Sequence, residues 1–156
     1  MLIDLAKSSL VRILISVLAV ASLGDVQATE LDLSAYRGKV VYVDFWASWC
    51  TPCRESFPWL SNLVSEYGSK DLVVIGVNVD QDHQLAEQFL RANFANFPIV
   101  YDPHGEIATT FKVEGMPSAV IIDRSGHVRY QHIGFSEKRK ATYEDHLRAV
   151  LNETAK

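Results

Sequence analysis

Val43-Asp44-Phe45-Trp46-Ala47-Ser48-Trp49-Cys50-Thr51-Pro52-Cys53 joins an apolar stretch to a Cys-x-x-Cys pair, and these are the only 2 cysteines of the chain. Residues 40–45 contain Val40, Val41, Tyr42 and Val43, the pattern of a strand buried on both faces. A Cys-x-x-Cys pair can close as a disulfide and reopen, so the stretch reads as a strand delivering a two-electron redox switch. With no further cysteine there is no disulfide framework. The second cysteine pair of a closed four-ligand zinc site is also missing, and no resident metal is expected. A structural disulfide clipping a helix start is the bland alternative. A two-thiolate carrier of a soft ion such as Cu(I) is a third reading.

Asp44 stands out in the strand. A buried, unpaired carboxylate is costly or takes up a proton. Asp44 is therefore expected to accept a proton from Cys53 through water, unless it lies at the wet end of the strand.

Upstream, Lys7 and Arg12 precede an apolar run over residues 13–23, and Val26-Gln27-Ala28 offers small residues suited to signal cleavage. The run is shorter than the roughly 20 residues of a comfortable membrane span. Residues 1–28 are expected to be a signal peptide, with an uncleaved N-terminal anchor as the alternative. The body then works in a periplasmic or otherwise exported compartment where disulfides persist. Residues 29–156 suit one compact domain, expected to be a monomer. Lys7 and Arg12 balance Asp4 and Asp25, so this domain carries the whole formal charge of −4. Mild acidity argues against a nucleic-acid partner. The cluster Lys138-Arg139-Lys140 lies beside Glu137 and Glu144 and reads as a solvated helix face.

Downstream of the cysteines, Phe57, Leu60, Val64 and Tyr67 make a helical stripe ending near Gly68, with Pro58 expected to kink it. Residues 72–79 read as a second buried strand. Asp82 can cap a helix whose core face is Leu85, Ala86, Phe89 and Leu90. A short strand at Ile99–Tyr101 and a short helix over 106–111 follow. Strands over 119–122 and 128–133 form a hairpin across Asp123-Arg124-Ser125-Gly126. A last helix over 136–152 buries Tyr143, Leu147, Val150 and Leu151. Alternating βα units closed by a hairpin predict an α/β domain, a central mixed β-sheet flanked by helices on both faces. The five histidines read as surface residues. His127 and His132 are not expected to chelate together, and His83, His104 and His146 lie in separate turns or helices.

Residues 43–53 resemble the active-site strand and turn of the thioredoxin-like fold. Pro58, five residues after Cys53, falls where that family has a helix-kinking proline. Gly115-Met116-Pro117-Ser118, leading into the strand after it, is similar to the family's cis-proline loop. The inserted helix and strand resemble the TlpA/ResA-like thiol–disulfide oxidoreductases of bacterial envelopes. The resemblance implies a catalytic pair, Cys50 as nucleophile at an exposed helix start and Cys53 as the resolving thiol, with Asp44 in support. It implies no cofactor beyond this redox-active disulfide. Trp49, Thr51, Pro52, Met116 and Pro117 would line the substrate site, where the backbone of Met116 could pair with an extended chain. Implied partners are cysteine-containing envelope proteins as substrates and a membrane thiol–disulfide electron donor. The implied direction is reduction, with an oxidase or isomerase of the same fold as the alternative. Two positions depart from the pattern. Ser56 stands where many TlpA-like proteins have glutamate, with Glu55 just before it. Ser118 replaces the acidic residue that relatives dedicated to cytochrome c maturation often carry.

The signal reading predicts that protein recovered from its native envelope begins at Thr29. Intact-mass analysis checks this, and a mass retaining residues 1–28 would mean an anchor instead.

Overall fold

The computed structural model describes residues 30–68 and 71–153, so the expected signal segment, residues 1–28, lies outside the described residues. After a 3-10 turn at Ser34–Tyr36, which the sequence pattern does not signal, come β1 (Val40–Trp46), α1 (Thr51–Tyr67) and β2 (Leu72–Asn78). They are followed by α2 (His83–Ala92), β3 (Ile99–Tyr101), α3 (Glu106–Thr110), β4 (Ser118–Ile122), β5 (Val128–Ile133) and α4 (Glu137–Leu151). The strands form one sheet in the order β3-β2-β1-β4-β5. β1 pairs in parallel with β2 and antiparallel with β4, so the sheet is mixed. The parallel pair needs a crossover, which α1 supplies. The β4–β5 hairpin turns at Gly126, whose φ of +89° suits glycine. The Asp123 carboxylate accepts the Ser125 and His127 N–H groups there. Among the described residues, no helix is long and apolar enough to cross a membrane.

Every residue of β1 is buried. Val40, Tyr42 and Trp46 join a core with residues of α1, α2 and α4, whereas Val41, Val43 and Phe45 join one with α3 and the segment before β1. Helices thus cover both faces, as the alternating units predict. The Trp46 ring lies 5.0 Å from that of Phe57 and 4.7 Å from that of Phe89. Gly76 of β2 makes room for it, since a Cβ there would come within 3.1 Å of Trp46 Nε1 and 2.9 Å of Ile99 Cδ1. Trp46 is therefore a core residue.

Three helical stripes differ from the sequence pattern, in α4 because Leu151, expected in the core, is only half-buried. In α2, Ala86 and Phe89 are buried but Leu85 is 44% exposed. One residue is about 100° of helix, which carries Leu85 off the edge of the buried face. In α1 the buried side comprises Cys53, Ser56, Phe57, Trp59, Leu60 and Leu63, and Val64 and Tyr67 are only half-buried at its margin. The helix continues through Pro58, which faces solvent.

The turn between β1 and α1 is tied to the end of β2 by a buried carboxylate. Asp80 Oδ2 accepts the Ser48 N–H at 2.8 Å and an Asn78 Nδ2–H at 2.7 Å, and its Oδ1 accepts the Ser48 hydroxyl at 2.8 Å. The Val79 N–H donates to Trp46 O at 3.0 Å beside them. Asp80→Ala would leave these donors without their acceptor, so we expect a loss of about 3 kcal/mol in unfolding free energy. Urea titration checks this, and a midpoint equal to that of the unaltered chain would show that the network does not hold the turn.

Candidate active site

Cys50 occupies the N-cap of α1 with an extended backbone, and its Sγ accepts the Cys53 N–H at 3.2 Å. The helix starts here because Pro52 sits in the first turn, where no intrahelical donor is needed. Cys50 and Cys53 are closed as a disulfide, with their Cα atoms 5.3 Å apart. Unpaired N–H groups and the positive end of the helix dipole converge on the N-cap, where they stabilise a thiolate. The expected exposed helix start needs correction. In the disulfide form Cys50 is only 3% exposed and Cys53 0%, and both belong to the core cluster that α1 shares with β1. The open neighbours are Trp49, at 67% exposure, and Thr51, with Pro52 half-buried.

Ser118 pairs with Phe45, so the residues before β4 lie beside the end of β1 that leads to the cysteines. The Met116–Pro117 peptide is cis, as the resemblance implies. Pro117 is buried, and its carbonyl accepts the Gly134 N–H at 2.7 Å. Met116 is half-buried and packs against the core cluster that contains both cysteines. The two departures from the family pattern are spent locally. Ser56 Oγ donates to the Cys53 carbonyl at 3.1 Å, and Ser118 Oγ donates to that of Gly115 at 2.6 Å.

Asp44 is 3% exposed, which rules out the wet end of the strand. It shares its side of β1 with Tyr42 and Trp46, the side covered by α1. Burial holds its carboxyl well above the usual carboxylate range. Burial likewise raises the Tyr42 hydroxyl, with the Asp44 charge adding to the effect. Asp44 Oδ2 has no hydrogen-bond partner among the described residues.

One expectation about the histidines is overturned. His132 is 6% exposed, with its Nε2 2.9 Å from Nδ1 of His146. Its ring stacks on Tyr143 at 3.9 Å, while His146 stacks on Tyr130 at 4.1 Å. β5 turns His132 toward α4, opposite the small Ala119 of β4, and the helix covers it. Desolvation, and secondly the charge of His146, lower its pKa to about 4. His146 is half-buried, whereas His83, His104 and His127 are exposed as expected. The period-two alternation of Tyr130 and His132, facing Tyr143 and His146 three residues apart on a helix, was the available signal. The Asp80 carboxylate was also missed. Its signal was the polar Asn78 and Asp80 at the end of an apolar strand. Among the described residues, no three His, Cys, Asp or Glu side chains converge as metal ligands.

Comparison with known proteins agrees with this architecture. A family model described as Redoxin matches residues 17–147. The thiol-disulfide oxidoreductase ResA of Geobacillus kaustophilus is 31% identical over 128 residues, covering 82% of this chain and 72% of that protein. A Chlorobium tepidum structure assigned as a thiol:disulfide interchange protein DsbE superposes with a TM-score of 0.76 at 42% identity, covering 78% of this chain and 86% of that one. The exposed lipoprotein thioredoxin Etrx1 of Streptococcus pneumoniae gives a TM-score of 0.63 at 33% identity, over 72% of this chain and 87% of that one. With a cysteine pair closing the first turn of α1 on a thioredoxin-like sheet, the chain belongs to the redoxin family and is a thiol–disulfide oxidoreductase of the ResA/TlpA type.

Proposed function

We propose that this oxidoreductase is exported and reduces disulfides of cysteine-containing envelope proteins. The closed Cys50–Cys53 pair at the N-cap of α1 is the observation that carries the reading. In the reduced form, Cys50 attacks a substrate disulfide as the thiolate favoured by the helix start. Cys53, one turn inward, then attacks the mixed disulfide and releases the substrate thiol. Asp44 accepts the Cys53 proton, a role supported by its burial on the α1 side of β1 and its raised pKa. Trp49 and Thr51, both exposed, and the half-buried Pro52 and Met116 form the surface on which the substrate chain lies, with the buried Pro117 setting the path of the Met116 backbone.

Export is supported by the signal-like pattern of residues 1–28 and by likeness to the exposed lipoprotein thioredoxin of Streptococcus pneumoniae. The remaining residues, 29–156, act as one monomeric domain in the periplasm or an equivalent compartment. A membrane thiol–disulfide electron donor returns the pair to the dithiol state, because reduction outside the cytoplasm has to be actively maintained. Likeness to ResA-type proteins favours the reducing direction.

Cys53→Ala should trap partner proteins through Cys50, and Cys50→Ala should trap far fewer. Non-reducing gels of envelope extracts with mass spectrometry of the adducts read this asymmetry, and equal trapping by both variants would reverse or erase the assigned roles. Absence of adducts with tight Cu(I) binding would favour the metal carrier.

Equilibration of the pair against glutathione buffers should place its potential closer to about −270 mV than to about −120 mV. A value at the oxidising end would make the protein an oxidase or isomerase.

A further inference from the structure

Two orphaned polar atoms share one cavity. Asp44 pairs with Ala119 across β1 and β4, and Ala119 pairs with His132 across β4 and β5, so the three side chains leave the same face of the sheet in a row. Asp44 and His132 both line a cavity of about 10 Å³, together with Tyr42, Pro117 and Tyr143. That is room for one water molecule. Asp44 Oδ2 and His132 Nδ1 are both buried without a hydrogen-bond partner among the described residues, and a water between them would satisfy both. On the far side of the same ring, His132 Nε2 lies 2.9 Å from Nδ1 of His146, which is half-buried on α4. The stacked rings of Tyr143 and Tyr130 hold the two imidazoles in place.

We propose that His132 and His146 form a proton path linking Asp44, through one water in this cavity, to the solvent. The proposal rests on the reading of Asp44 as the proton acceptor for Cys53. When the dithiol is oxidised, the Cys53 thiol gives its proton to the Asp44 carboxylate, and its sulfur attacks Cys50 Sγ of the mixed disulfide. The Cys50–Cys53 bond forms, the bond from Cys50 to the substrate sulfur breaks, and the substrate leaves as a thiolate with the electron pair. The proton does not wait on Asp44. In the same step a proton moves from the carboxyl through the water to His132 Nδ1 as the Nε2 proton moves to His146 Nδ1, and His146 releases its own Nε2 proton to solvent. An interrupted path therefore slows resolution itself. Re-reduction of the disulfide runs these transfers backwards and restores both tautomers.

The surroundings suit such a path. A pKa near 4 leaves His132 neutral at physiological pH, with one ring nitrogen free to accept while the other donates. The titratable groups around the cavity and the pair are Asp44 and Tyr42 from β1, Tyr130 on β5, and Tyr143 and His146 from α4.

The test follows oxidation of the reduced protein by dithiobisnitrobenzoate in a stopped-flow spectrometer. The first thionitrobenzoate released reports attack by Cys50, and the second reports resolution by Cys53. Because His132→Leu removes a core side chain, His146→Gln at the half-buried end carries the main measurement. We expect His146→Gln to slow the second release about fivefold and to leave the first unchanged. That is well below the effect of losing a general acid–base group itself, because the histidine passes the proton on rather than taking it from the thiol. Added imidazole should restore the rate, and Asp44→Asn/His146→Gln should be no slower than Asp44→Asn alone. A slow Asp44→Asn beside a His146→Gln at the unaltered rate would overturn the path and leave the role of Asp44 standing. Slowing that imidazole does not rescue, and that adds to the Asp44→Asn effect, would overturn it in favour of a packing role for the histidines. An Asp44→Asn protein resolving at the unaltered rate would remove the role of Asp44 and the path with it.

Discussion

Burial of β1 on both faces is the constraint on which the catalytic end of the molecule depends. A strand covered on two sides can satisfy its backbone only through neighbours on each edge, here β2 in parallel and β4 antiparallel. The parallel neighbour obliges the chain to leave β1 through a crossover helix, and that helix begins where the strand runs out. The cysteine pair therefore meets a helix N-terminus at the C-terminal end of the central strand rather than a solvated loop. The antiparallel neighbour starts at this same end, which brings Pro117 alongside the turn. Asp80 and Ser48 hold that turn against the parallel neighbour.

A polar row runs through this apolar frame. Burial penalises the charged form of any titratable group, so it raises an acid and lowers a base. Asp44 and His132 respond in these opposite directions, and both are driven toward neutrality in the same small cavity. Apolar residues at both positions would pack at lower free-energy cost. Under the proposed function, the carboxyl and imidazole retained there serve a thiol couple whose chemistry releases and takes up protons.

The elements were legible wherever a short-range signal had one physical meaning. The apolar run of β1, the Asp82 cap on α2, which accepts the Gln84 N–H at 2.9 Å, and the Asp123–Gly126 turn all belong to that class. Periodicity was weaker at the margins of faces. It grouped Leu85 with Ala86 and Phe89, but only the packing of α2 on the sheet defines where the covered stripe ends. The histidines failed for a related reason. Alternation along β5 says that Tyr130 and His132 share a side, without saying that α4 lies over that side and supplies Tyr143 and His146.

The sequence by itself determined the chemistry available: one cysteine pair, one carboxyl in a buried strand, and a helix start at the first cysteine. Each of these rests on residue identity and on neighbours within a turn or a strand, where spacing dictates geometry. Only the tertiary structure decided that Asp44, Pro117, His132 and His146 come together, and which of their atoms are left without partners. Those meetings depend on the pairing of β1 with β4, of β4 with β5, and on the docking of α4. These contacts join distant parts of the chain and are selected by collective burial of the core, so no local pattern encodes them.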